Sequence, residues 1–469
     1  MMFPVTLSAA RRRMGVASVV LLGLLAWLPV DARTPSPADG PAQGRVIESA
    51  AEFAVLPPRA RVEPENRMLE ERLEELLPRL MEESGLDMWL VINREYGEDP
   101  VYFTLVPQPT FAARRTTMLI FNRKEDGTVE RLSVNRYPLK GMYETAWEGG
   151  DLDAQWAALA ELIESRNPGR IGINASREWA VADGLTKGMH ERLLEVLPDD
   201  YAGRLVPAEG LVVRWLETRS SGELATYPHI VGLARGVIAE AFSNRVVTPG
   251  VTTTDDVAWY IRERFEDLGL QPWFMPYVNR QAPDLECERD ADYCGEDGVI
   301  RPGDVLHTDV GICYLKLCTD TQEMGYVLRE GESEVPAGLR EALARGNRWQ
   351  DLLTAQFESG RTGNEVLART REAAAAEGLV SRTYSHPIGF FGHAPGPTIG
   401  MWDNQDGTPG QGDWPLHPAT AYAIEGNVMH PVPEWDGHWV QVKLEQSAAF
   451  DGTAVTYLAG RQTRWHVIR

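Results

Sequence analysis

The chain has 469 residues, 43% hydrophobic and 24% charged, which is ordinary for a globular protein and long enough for two domains. Its 46 lysines and arginines face 68 aspartates and glutamates. The resulting formal net charge of −22 argues against nucleic acid or an anionic membrane surface as a partner.

At the N-terminus, Arg11 to Arg13 precede the apolar run GVASVVLLGLLAWLPV, and Ala32 offers a small residue for cleavage. Residues 1–32 therefore read as a signal peptide. The run is shorter than the roughly 20 residues of a spanning helix. The expectation is a cleaved, periplasmic or secreted protein with no stable membrane association afterwards. Residues 33–64, rich in Pro, Ala and Gly, read as a linker or extended arm. NRMLEERLEELLPRLMEESGL then predicts an amphipathic helix, MWLVIN, TTMLIFN and RIGIN predict strands, and LDAQWAALAELIESR and KGMHERLLEVL predict helices. This alternation gives a smaller α/β domain over 65–213, without a catalytic cluster.

The remainder, 214–469, holds an internal repeat. TPGVTTTDDVAWYIRERFEDLGL (248–270) is similar to ESGRTGNEVLARTREAAAAEGL (358–379), each with a capping threonine, a helix and a closing Gly-Leu. A duplicated α+β unit places a cleft between its halves, where ligands bind. In CERDADYC, Cys287 and Cys294 read as a disulfide clip on a polar loop. Cys313 and Cys318 fit a second bridge, buried thiols or thiolate ligands.

The acids and histidines carry the chemistry. In HTDVGICYLKLCTDTQ, a turn near Leu315 and Lys316 places Asp309 and Asp320 on one face of a hairpin, nearly opposite each other. Two adjacent unpaired carboxylates repel, so a pair of divalent ions is the expected partner. SHPIGFFGH follows with His386 and His393, and AYAIEGNV places Glu425 in an apolar strand. HWVQVKLEQSAAF alternates, with Val440, Val442 and Leu444 toward a core and Trp439, Gln441, Lys443 and Glu445 toward a polar cavity. Buried glutamates are costly unless paired or bound to metal.

These motifs resemble the pita-bread metallopeptidases, which include methionine aminopeptidase, aminopeptidase P and prolidase. HTDVG and CTD resemble the aspartate hairpin of that family, SHPIGFFGH its paired histidines, AIEGN its Ile-Glu-Pro-Gly and KLEQS its Arg-Ile-Glu-Asp. The resemblance covers 214–469, and 65–213 more loosely resembles the N-terminal domain of aminopeptidase P, prolidase and creatinase. It implies that Asp309 chelates one ion, that Asp320 and Glu445 bridge two, and that His386 and Glu425 complete the other. It also implies that Glu425 shuttles a proton and that His393 contacts substrate. Oxygen-rich ligation favours manganese, with cobalt, zinc or iron as alternatives. The implied activity is Xaa-Pro aminopeptidase-like or dipeptidase-like cleavage of short peptides near the N-terminus, by a chain that can form a homodimer. Lys443 stands where the family often has arginine, with its ammonium expected to reach the metal carboxylates or a substrate carboxylate.

Departures from the pattern bear on proline specificity. Asp320 opens DTQE where the family has Asp-x-Thr-Arg, and Gly426 replaces the proline of Ile-Glu-Pro-Gly. YVNRQAPDLECERD lacks the third active-site histidine, for which His307 and His438 are the candidate substitutes. The alternative readings are a metal-binding pseudo-peptidase and a creatinase-like amidinohydrolase, which needs no metal.

Overall fold

The computed structural model describes residues 46–469 apart from Lys140 and Glu286. The signal-peptide reading and the first part of the 33–64 arm lie outside the described residues. The arm ends sooner than composition suggests, because a helix already begins at Pro58. Proline is tolerated in a first helical turn, so PRARVEP reads as linker by composition while folding as helix. That helix, Pro58–Glu71, continues through a wider turn at Arg72–Leu76 into Leu77–Ser84 and stops at the left-handed Gly85.

The first sheet has six strands, in the order Glu144–Thr145, Val129–Val134, Thr116–Arg123, Met88–Arg94, Ile171–Ile173 and Leu205–Pro207. Its central strand Met88–Arg94 is buried on both faces. Met88, Leu90 and Ile92 pack on the helix Leu152–Arg166, while Trp89 and Val91 pack on the helices around Leu73, Leu77 and Trp215. A strand covered on both sides reads as a continuous apolar run, which is what MWLVIN displays. The boundary expected at 213 falls within the helix Glu209–Glu217, whose buried Leu211, Val212 and Trp215 belong to this first core.

The second sheet has nine strands. Its main path runs Val380–Thr383, Thr420–Pro431, Trp439–Phe450, Thr321–Val327, Val305–Val310 and Tyr277–Gln281. The path is two three-stranded halves placed seam to seam, each preceded by a helix pair: Ser221–Ala241 with Thr254–Asp267, then Ala337–Thr354 with Gly363–Ala376. The repeat read from the sequence is visible in the caps. Thr253 and Thr362 each accept from the third helical N–H, with Asp256 and Glu365 returning the bond. Gly269 and Gly378 follow these helices at φ +69° and +66°.

Leu315 and Lys316 form the two-residue turn of the aspartate hairpin, both at positive φ (52° and 64°). The register differs from the expected one. Asp309 stands opposite Gln322, and Cys313 stands opposite Cys318. Asp320 is therefore diagonal to Asp309 on the shared face, because a turn centred between 315 and 316 pairs positions whose numbers sum to 631. Both disulfides are formed, Cys287–Cys294 and Cys313–Cys318, so Cys313 and Cys318 are neither free thiols nor ligands. At the tip, Lys316 donates to the carbonyls of Phe103 (2.8 Å) and Val106 (3.1 Å), tying the hairpin to the first unit, the one built on the six-stranded sheet.

Candidate metal centre and active site

The five candidate ligands come from separate elements of the second sheet. Asp309 lies on Val305–Val310, Asp320 just before Thr321–Val327, His386 at the start of His386–Ile388, Glu425 within Thr420–Pro431 and Glu445 within Trp439–Phe450. Three groups of potential ligand atoms form among the described residues, each within 4.8 Å: Asp309, Asp320 and Glu445; His386, Glu425 and Glu445; and Asp320, His386 and His393. Glu445 belongs to the first two. The Nε2 atom of His386 is 3.5 Å from Glu425, 3.7 Å from Asp320 and 3.9 Å from Glu445.

Burial makes this cluster electrostatically expensive. It pushes the Asp309, Asp320 and Glu445 carboxyls well above their ordinary range, and their mutual repulsion pushes them further. Burial likewise raises Glu425 to about 8. Oδ1 of Asp309, Oδ1 of Asp320, both carboxylate oxygens of Glu445 and Nε2 of His386 are buried without a hydrogen-bond partner. Unpartnered buried acceptors are costly, and two divalent cations would satisfy all five atoms, so the residues fit such ions. His386 is prepared as a neutral ligand. Burial lowers its pKa to about 4, and its Nδ1 lies 3.0 Å from the Pro387 carbonyl, leaving Nε2 as the free lone pair.

A cavity of about 710 Å³ opens over these groups. His393 reaches into it with a side chain 73% exposed and Nε2 3.8 Å from Asp320. The ring stands edge-on to Trp273 and His386. The outer walls are aromatic, with Tyr277 and Tyr293 on one side, Trp402 beside Met401 on another, and Trp179 contributed by the first unit. Sequence reading missed these residues. Tyr293, inside the disulfide-clipped loop, carried a readable signal as an aromatic in a polar stretch. Trp179 carried none, since only tertiary packing brings it to the site.

Lys443 lies on the cavity wall, as the strand alternation predicted, but it is 3% exposed and already partnered. Its ammonium donates to the Cys294 carbonyl (2.9 Å) and lies 3.6 Å from the centre of the Tyr293 ring. Burial lowers its pKa to about 7. Gln441, on the same strand face, accepts from the Cys294 N–H, so the strand pins the clipped loop at two points. Of the two substitutes for the missing histidine, His307 lines the cavity, whereas His438 sits in the exposed turn after Pro433–Trp435.

The departures have local causes. Glu323, where the family motif has arginine, is buried and paired with Arg235 at 2.6 Å and with His466. Burial alone would raise its pKa, but these two partners hold it at about 2. At Gly426 an added Cβ would lie 2.3 Å from the Trp349 ring and 2.4 Å from the Arg382 carbonyl, so no side chain fits there. Gln322 joins the ligands directly. Its amide nitrogen donates to Glu425 (2.6 Å) and Asp309 (3.3 Å), and its oxygen is 2.8 Å from His307 Nε2.

Residues 230–450 match the family model described as Metallopeptidase family M24. The chain carries an M24 metallopeptidase domain. No curated protein matches it at a significant level. Among solved structures it is similar to an X-Pro aminopeptidase from Thermotoga maritima MSB8, with 16% identity and a TM-score of 0.58 over 83% of this chain and 99% of that one. A Xaa-Pro dipeptidase from Bacillus anthracis gives 16% and 0.56 over 86% and 100%. Dipeptidase PepE from Mycobacterium ulcerans gives 17% and 0.53 over 87% and 98%. These likenesses establish the pita-bread α+β fold of the M24 domain and extend beyond it into the first unit.

Proposed function

We propose that this M24 metallopeptidase is a two-ion exopeptidase. It cleaves short peptides near their N-terminus in the manner of an Xaa-Pro aminopeptidase or dipeptidase. The observation that carries the reading is the pair of ligand groups sharing Glu445 beside the aromatic-walled cavity, with five buried ligand atoms otherwise unpartnered. A bound pair of divalent cations, manganese by preference for so oxygen-rich a set, supplies Lewis acidity and lowers the pKa of water. The chain supplies the rest. Asp309, Asp320, His386, Glu425 and Glu445 hold the ions. Glu425, beside the cavity, is also placed to receive and return a proton during the reaction. His393 donates to the substrate oxygen on which charge develops. The aromatic walls take apolar side chains and exclude water. Lys443 is the cationic lysine or arginine of the cavity wall among the described residues, and so the group for a substrate carboxylate.

Without the third histidine, proline preference is loose. Incubating Ala-Pro-Ala and Ala-Ala-Ala with the manganese-loaded protein, and identifying products by mass spectrometry, should show N-terminal cleavage of both. A preference above about a thousandfold, some 4 kcal/mol, would instead reveal a dedicated proline pocket. No cleavage of either, with both ions bound, would favour the pseudo-peptidase. Export to the periplasm or medium belongs to the same proposal and is supported by the two disulfides, which persist in oxidising compartments.

A further inference from the structure

One row of residues crosses the seam of the second sheet. Asp309 pairs with Gln322, Gln322 with Glu445, and Glu445 with Glu425, each directly opposite the next on adjacent strands. Paired residues point to the same face, so all four side chains share the site face. Exchanging the two halves of the sheet maps Asp309 onto Glu425 and Gln322 onto Glu445. Three of the four positions are acids. The fourth carries the amide.

We infer that Gln322 is the positioning residue of the metal centre, bracing Asp309 and Glu425, which belong to different ions, through the two hydrogens of one amide. The bonds are those already given, 3.3 Å to Oδ2 of Asp309 and 2.6 Å to Oε1 of Glu425. Each carboxylate keeps its other oxygen for an ion. Oδ1 of Asp309 has no partner, and Oε2 of Glu425 faces His386 Nε2. Gln322 is itself held from its other end. An amide offers two donors on one side and an acceptor on the other, and His307 Nε2 lies 2.8 Å from the oxygen. With its proton on Nε2, His307 donates there and favours the amide nitrogen toward the two carboxylates. Gln322 and His307 are 4% and 3% exposed, so most of their polar surface must be satisfied by these partners. A threonine, the residue of the resembling motif, is too short to span both carboxylates. The Gln322–His307 pair is thus a device of this chain's own, and its argument rests on the two-ion reading of the site.

Manganese titration calorimetry on the full-length protein tests it, together with the visible spectrum of the cobalt-loaded form. Gln322→Met keeps the length of the side chain and removes the donors. Both ions should then bind about 10–100-fold more weakly, the range for losing an outer hydrogen-bond partner of a ligand. The cobalt bands should shift, and kcat should fall while KM holds. His307→Leu frees the amide to turn and should move the same readouts in the same direction by less. It serves as the measure if Gln322→Met does not fold. Affinities within about twofold of the original for both ions overturn the inference. So does a loss confined to one ion, since the brace joins ligands of both. An unaltered protein that binds fewer than two ions would instead strike down the two-ion reading itself.

Discussion

His386 opens a short strand and His393 lies seven residues on, in the glycine-rich loop that follows, and their surroundings assign them different work. His386 is buried with Nε2 facing three carboxylates, whereas His393 projects into the cavity. His386→Ala should therefore weaken ion binding. His393→Ala should leave both ions bound and lower turnover by about 10²–10³-fold, as for a lost oxyanion donor. Metal analysis and steady-state kinetics on the two variants separate the roles, and the reverse pattern would exchange them. At this scale the clustering of the candidate ligands was readable, because acids set in apolar strands are too costly to keep unless an ion or a charge partner meets them. The support was not. Glu323, Gly426 and Gln322 look like faults in the motif. Their reasons are an arginine 88 positions away, a tryptophan ring and a histidine two strand positions before Asp309.

The aspartate hairpin shows how an element can be read correctly and registered wrongly. Strand alternation gave the right face for both carboxylates, but facing positions follow from the turn, and Leu315-Lys316 lacks the Asn-Gly signature that announces such turns. The returning strand has a second duty on its opposite face, where Glu323 meets Arg235 and His466. Glu323 is 1% exposed and Arg235 8%, so breaking the pair strands a buried guanidinium. Glu323→Gln should cost about 3–5 kcal/mol in urea denaturation while the ion count stays at two. A loss below about 1 kcal/mol would mean that Arg235 finds another partner. The capped helices, by contrast, were legible almost to the residue, since Thr253 and Thr362 announce their own N-termini.

Across the molecule, the two units are stitched through groups that sequence leaves unconnected. Arg72, from the wide helical turn of the first unit, donates to Glu223 (2.8 Å) and the Thr218 carbonyl (2.7 Å). Its guanidinium and that of Arg219 each lie 4.8 Å from the ring centre of Phe390, in the loop between the two site histidines. The first unit therefore holds the loop that carries His393. The charge cluster sets a further property of the whole chain. Above about pH 7.5 the buried histidines are neutral folded or unfolded, so the carboxylates govern the response there. Their folded pKa values are raised, by burial first, and Glu425 stands at about 8. The metal-free folded state then keeps protons that the unfolded chain has released, and its stability falls as pH rises toward about 8. Lys443, lowered to about 7, opposes this with one proton against four carboxylates. Chelator-treated protein should lose urea resistance as pH rises from about 7.5 through 8, and manganese should abolish the loss by replacing the protons. A flat profile in chelator would mean that the cluster does not retain them.

The row across the seam also bears on descent. If the two halves were once copies, positions 322 and 445 carried the same side chain, face to face. Two glutamates there would set a fifth carboxylate among four that already strain the buried site. Two glutamines would leave no acid common to both ligand groups. Each identical pair would spoil the centre in its own way, so a duplicated gene could host the proposed pair of ions only after its copies had diverged at that position.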